Sequence, residues 1–223
     1  MKKILLFLLI ALIALPTVAQ KDVTKFLGIP VDGTKAEMRK KLIEKGFERK
    51  FVKDSEYFVG EFNGREVNLF VVTNNNKVYR IMVADKNTCD ETDIKIRFNK
   101  LVHQFENNKR YFKPEDYEIG DDVDISYEML VHNKRFEAFF YQMADPDILI
   151  SNIKNTLLEK YTEEQINNPT DEIQQELMSL TKDIGYEQTT KKSVWFTISS
   201  VYGEYQINIY YDNVYNQANG DDL

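Results

Sequence analysis

Apolar positions along this chain recur in two periods, and the period changes several times. Thr34-Lys35-Ala36-Glu37 has the form of a capping box, Met38, Leu42 and Ile43 follow on one face, and Gly46 supplies a left-handed stop. A short amphipathic helix is expected there. Behind Asp90, the residues Ile94, Phe98, Leu101, Val102 and Phe105 recur at spacings of three and four and predict a second helix. Pro146 after Asp145 opens a third with Leu149, Ile153 and Leu157. After Asn167-Asn168-Pro169, Thr170 begins a fourth with Ile173, Leu177, Leu180 and Ile184, expected to stop at Gly185.

Between these lie β-rich arms around short turns. Residues 57–61 and 66–72 flank Asn63-Gly64, a strong hairpin signal because both turn positions tolerate positive φ. Residues 126–131 and 135–141 flank His132-Asn133-Lys134, and residues 195–201 and 204–211 flank Tyr202-Gly203. In the last arm Tyr205, Ile207, Ile209 and Tyr211 alternate with Gln206 and Asn208, so one face should be buried. A further strand, 78–84, follows Asn74-Asn75-Asn76. Tight turns make the strands antiparallel, and no regular strand-helix-strand alternation appears. The class is therefore α+β: antiparallel sheets built of β-hairpins, with amphipathic helices packed on one face. The recurring hairpins suggest two related halves, 20–110 and 111–223, or one continuous domain holding both. Residues 20–33, with Phe26-Leu27-Gly28-Ile29-Pro30, read as a short lead-in.

The first residues have a different pattern. Lys2 and Lys3 precede an apolar run over 4–15, and Pro16-Thr17-Val18-Ala19 resembles a cleavage site, so 1–19 is expected to be a signal peptide removed on export. A span needs about 20 apolar residues, so no membrane anchor is expected to remain after cleavage. No cysteine follows Ala19 to carry a lipid. The expected location is periplasmic or secreted. Cys89 is the only cysteine, which rules out an intramolecular disulfide and leaves stability to the core. It is expected as a small, partly buried side chain beside a helix start, with Asp90, Glu91 and Asp93 disfavouring its thiolate.

Charge narrows the partners. The chain has 29 Lys plus Arg against 36 Asp plus Glu, and loss of Lys2 and Lys3 with the leader gives a net charge of −9. Nucleic acid and anionic lipid both need a cationic footprint and are not expected as partners. His103 on the polar side of its helix and His132 in a hairpin turn have no ligand-spaced neighbours in sequence. There is no Gly-x-Ser-x-Gly elbow and no glycine-rich phosphate loop. No cofactor is expected. The stretch Asp85, Asn87, Glu91 and Asp93 lacks the glycine and the final glutamate of a calcium loop. Asp212, Asn213, Asn219, Asp221 and Asp222 form a looser acidic cluster, weak candidates for calcium, since turn formation and helix capping account for most such residues. Among the thirteen tyrosines and fourteen phenylalanines, Tyr202, Tyr210 and Tyr215, with Trp195, are the candidates for stacking on a sugar or anchoring a protein. Strands are rich in aromatics in any case.

Several segments carry a resemblance: Phe26-Leu27-Gly28-Ile29-Pro30-Val31-Asp32-Gly33, Gly60-Glu61-Phe62-Asn63-Gly64, Arg97-Phe98-Asn99-Lys100-Leu101, and the tail from Tyr210-Tyr211-Asp212-Asn213 to Asn219-Gly220-Asp221-Asp222-Leu223. In these the chain resembles a group of exported proteins of unknown function from the Bacteroidetes. Its layout is also similar in outline to inhibitor-like and envelope-assembly modules with helices on a curved sheet, a likeness of fold that assigns no residue a role. The expectation is a non-enzymatic binding module of the cell envelope with a protein or glycan partner. The alternative is a glycan-directed hydrolase whose paired carboxylates sequence cannot identify.

Overall fold

The computed structural model describes residues 21–218 and 220, so the expected signal peptide, Asn219, Asp221 and Asp222 lie outside the described residues. The fold is α+β. Two compact units are present, one of Val23–Met143 with Thr190–Leu223, the other containing Ala144–Thr189. The boundary expected near 110 falls inside the first.

That first unit opens with a two-residue hairpin, β1 (Lys25–Phe26) and β2 (Ile29–Pro30), turned at Leu27-Gly28. Helix α1 (Lys35–Glu44) starts at the predicted capping box, with both reciprocal bonds between Thr34 and Glu37 formed. Four strands follow: β3 (Glu48–Val52), β4 (Ser55–Phe62), β5 (Arg65–Asn74) and β6 (Lys77–Asp85). Asn63 and Gly64 take φ of 53° and 73°, as the β4–β5 turn requires. Helix α2 (Glu91–Glu106) is capped by Asp90, which accepts from the Asp93 amide. Then come β7 (Tyr111–Phe112), α3 (Ile125–Val131) and β8 (Glu137–Gln142), and finally β9 (Ser193–Val201) and β10 (Glu204–Asp212), joined at Tyr202-Gly203.

The strands form one antiparallel sheet in the order β3-β4-β5-β6-β10-β9-β8-β7. Strands from 48–85 fill one side and strands from 111–212 the other, meeting where β6 pairs with β10. Alternation sends Leu69, Ile81, Val83, Phe140, Phe196, Ile207 and Ile209 to one face. There Met38 and Leu42 of α1, Phe98 and Leu101 of α2 and Ile125 of α3 complete a single cluster. Within this unit α1, α2 and α3 pack on one face of the sheet, and α1 and α2 do so through their predicted stripes.

Residues 126–131 were expected as a hairpin arm and are instead helical. Asp124 accepts from the Tyr127 amide, and the Glu91 carboxylate takes the Ile125 amide at 2.7 Å and the Ser126 amide at 3.3 Å. These bonds satisfy helix-start donors that a strand would leave open. His132 consequently caps a helix and does not sit in a hairpin turn, and Asn133, at φ 52°, reverses the chain.

The second unit is helical: α4 (Pro146–Lys160), α5 (Glu163–Asn167) and α6 (Asp171–Thr190). The expected start at Pro146 is observed. Helix α6 runs past Gly185, which is not in the left-handed conformation a stop would need, with open space around its Cα. A short helix not expected from the sequence, α5, is set by a capping box between Thr162 and Gln165, and the expected break at 167–169 separates it from α6. Among the described residues no helix is long and apolar enough to cross a membrane.

Candidate functional site

The face of the sheet opposite the cluster is ordered by strand register. Phe139 lies beside Trp195, Trp195 beside Tyr210, Tyr210 beside Met82, and Met82 beside Phe70. Tyr57 stacks on Phe70 and pairs with Lys50. One straight row thus crosses seven strands and carries five aromatic rings and a methionine. Trp195 is sandwiched, with centroids 5.4 Å from Phe139 and 4.1 Å from Tyr210 and interplanar angles of 15° and 19°. These separations bracket the spacing of neighbouring strands. The rings therefore stand upright, face to face, and point their edges away from the sheet.

The Arg80 guanidinium lies 4.9 Å from the Tyr210 centroid. It is held by Asp212, with Nε and Nη2 donating to the two carboxylate oxygens at 2.5 and 2.8 Å, and the Trp195 indole N–H donates to the same carboxylate at 2.9 Å. Burial pushes the Tyr210 hydroxyl pKa up, against the pull of Arg80 and Arg135. A parallel row of different chemistry runs alongside: Glu137, Thr197, Asn208, Ala84, Asn68, Val59 and Glu48 in register. The Asn208 amide donates to the Ser199 hydroxyl at 2.7 Å.

Of the four aromatic candidates, the structure brings Trp195 and Tyr210 together. Tyr202 is at the β9–β10 tip, fully exposed with φ 54°, and Tyr215 lies in a short turn after β10 with the Lys191 ammonium 5.5 Å from its ring. Sequence reasoning missed Phe139, Phe70, Tyr57, Met82 and Arg80. Each sits at an alternate position of a strand, but only pairing between distant strands puts them in one row.

The calcium candidates that are described have other work. Asp212 is bound by Arg80 and Trp195, a cation and a donor that use its oxygens, and Asn213 donates to the Val31 carbonyl and accepts from the Tyr215 amide. Among the described residues no three His, Cys, Asp or Glu side chains are placed to hold a metal ion. His103 lies 3.5 Å from Glu118, which is distant in sequence, and His132 lies 3.2 Å from Glu128, a neighbour one helical turn earlier that the reading of 126–131 as a hairpin arm overlooked. Cys89 is partly buried and exchanges backbone hydrogen bonds with Tyr205. Burial raises its pKa, Arg65 opposes this, and Asp93, Asp85 and Asp90 add to it. A hollow of about 790 Å³ follows the outward stripe Ile96, Asn99, Lys100, His103 and Gln104. Its described lining comes from α2 and the turn after it.

The deepest carboxylates are all engaged. Asp85 meets Arg97 through two contacts of 3.3 Å, and Asp22 accepts from the Asp145 amide. Glu37, Glu48, Glu56, Glu91, Asp116 and Glu176 have carboxyl pKa values displaced downward. For Glu56, burial pushes upward and is outweighed by Arg39 and Arg49.

These features define an antiparallel α+β sheet protein with an aromatic ladder on the face away from its core. Comparison with protein-family models, curated proteins and solved structures gives no significant match.

Proposed function

We propose that this chain is an exported, non-enzymatic binding module that engages a protein partner through the aromatic ladder. The observation that carries the reading is the unbroken row from Phe139 to Tyr57. A pyranose stacks on an open ring face, and both faces of Trp195 are taken. Ring edges are electropositive and suit carbonyl oxygens and apolar side chains, which is the chemistry of a polypeptide. Met82 and Phe70 add adaptable apolar surface of the kind enriched in protein interfaces. The pattern over 1–19 and the resemblance to exported Bacteroidetes proteins support a periplasmic or secreted setting. The glycan-hydrolase alternative is less well supported, because a general acid needs a raised carboxyl pKa, whereas those of Glu37, Glu48, Glu56, Glu91, Asp116 and Glu176 move down.

Affinity capture from the native envelope fraction tests this with the wild-type chain beside Phe70→Asp, since Phe70 is 36% exposed and its loss opens no core cavity. A partner retained by the wild type and lost by the variant, at unchanged melting temperature, is the expected result. The same proteins captured equally by both would sink the reading, as would ladder-dependent binding confined to a glycan panel.

A further inference from the structure

Helix α3 has seven residues, and three of its apolar side chains face solvent: Tyr127, Leu130 and Val131 are 52%, 82% and 55% exposed. A helix this short needs outside support, and Ile125, Tyr127 and Val131 favour strands. The support comes from the Asp124 cap, from the buried Ile125 side chain, and from the Glu91 carboxylate, which takes two amides and the Ser126 hydroxyl. After α3 the chain reverses at Asn133 and enters β8. On one side of β8 the Ile198 amide donates to the Phe136 carbonyl and the Gln142 amide to the Lys192 carbonyl, so the even-numbered residues face β9. Alternation turns the backbone groups of Glu137 and Phe139 to the opposite side. There β7 reaches Tyr141 and Gln142, and among the described strands none pairs with Glu137 or Phe139 on that side. The Tyr117 hydroxyl is bonded to the Phe139 backbone.

We infer that residues 126–131 are a two-state element, helical while Glu91 holds them and folded back as a strand on the margin of β8 when those bonds are lost. A hairpin closed around His132-Asn133-Lys134 sets Val131 opposite Arg135, Met129 opposite Glu137 and Tyr127 opposite Phe139. Glu137 and Phe139 are the outward-facing residues of β8, so the closing pair falls in the hydrogen-bonded phase that tight hairpins use. Pairing ends with Ser126 opposite Phe140, next to where β7 ends with Phe112 opposite Tyr141. The new strand thus continues β7 along the same margin, with 113–125 as an excursion between them. Two of the exposed side chains gain cross-strand neighbours: Tyr127 stands beside Phe139 on the ladder face, and Leu130 beside Phe136 on the core face. The aromatic row that ends at Phe139 grows by one ring. The helical state keeps Ile125 in the core and the Glu91 bonds; the strand state gains backbone pairing and these apolar contacts. A carboxylate on a different helix therefore decides between two packings, where local preference and the observed element disagree.

Backbone NMR on the full chain tests this with Glu91→Ala, and with Glu91→Gln as the milder variant should the first unfold. Residues 126–131 of the wild type are expected to give helical Cα shifts. In the folded variant the same residues should move to strand shifts, with slower amide exchange at Glu137. A close Hα–Hα contact between Glu128 and Ala138 should also appear, since these face each other in the non-hydrogen-bonded phase. Residues 126–131 that stay helical in every folded variant overturn the inference, as do coil shifts without the Glu128–Ala138 contact. No ligand enters the measurement, so its outcome is separate from that of the ladder reading.

Discussion

Asp85 at the end of β6 and Arg97 on α2 are both almost fully buried, and they tie the helix to the sheet. Replacing Arg97 by Leu leaves the carboxylate with Arg65 at 4.0 Å as its remaining cation. The expected loss is about 3–5 kcal/mol in urea unfolding, because an uncompensated buried charge costs more than the pair contributes. Glu91 offers a pH test. The Ser126 hydroxyl bond lowers its pKa most; burial opposes that, and the Ile125 and Ser126 amides add to the lowering. A carboxyl depressed on folding stabilises the protein above its unfolded value, near 4.5, and that contribution is lost as pH falls through the folded value. Glu91→Gln should therefore lower the melting temperature at pH 7 and narrow its gap from wild type as the pH is taken below 4. An unchanged gap would show that the charge is not what holds α3. Local partners such as Thr34 with Glu37 were legible in sequence because they lie within one helical turn. Asp85 with Arg97 and Arg80 with Asp212 were not, since no spacing rule reaches across a sheet.

Helix α3 shows how an element can be misjudged. Its residues Ile125, Tyr127 and Val131 favour strands, and the reading as a hairpin arm followed that preference. What decides the element is a pair of carboxylates, one adjacent and one from Glu91 on α2. Asp124→Ala should cost about 1 kcal/mol, as loss of an N-cap does, and should speed amide exchange over Ile125–Val131 before the β strands respond. The arms around Asn63-Gly64 and Tyr202-Gly203 were read correctly because Asn63, Gly64 and Gly203 tolerate the positive φ that a tight hairpin turn needs. Gly185 misled for the complementary reason: a glycine marks a stop only when its backbone is left-handed, and sequence does not state φ.

At the scale of the whole molecule, strand order was the part sequence withheld. Hairpins specify neighbours within each half, but the seam between β6 and β10 joins residues about 130 apart, such as Val83 with Ile209. Burial patterns on both strands fit the seam without naming it. Ile209 is 1% exposed at this junction. Ile209→Ala should cost about 2–5 kcal/mol, with amide exchange in β4 and β9 accelerating together. Independent responses of the two sides would mean that the sheet unit is not one cooperative body.

Trp195 is the single tryptophan of the chain, fixed between two rings with its indole N–H on Asp212. Intrinsic emission on excitation near the red edge therefore arises from one spot, at the centre of the ladder. Stacked transition dipoles of indole and phenol at 4.1 Å should also couple in the near-ultraviolet. The protein thus carries its own optical probe of that face, and occupancy or disruption there can be followed by light without attaching a dye.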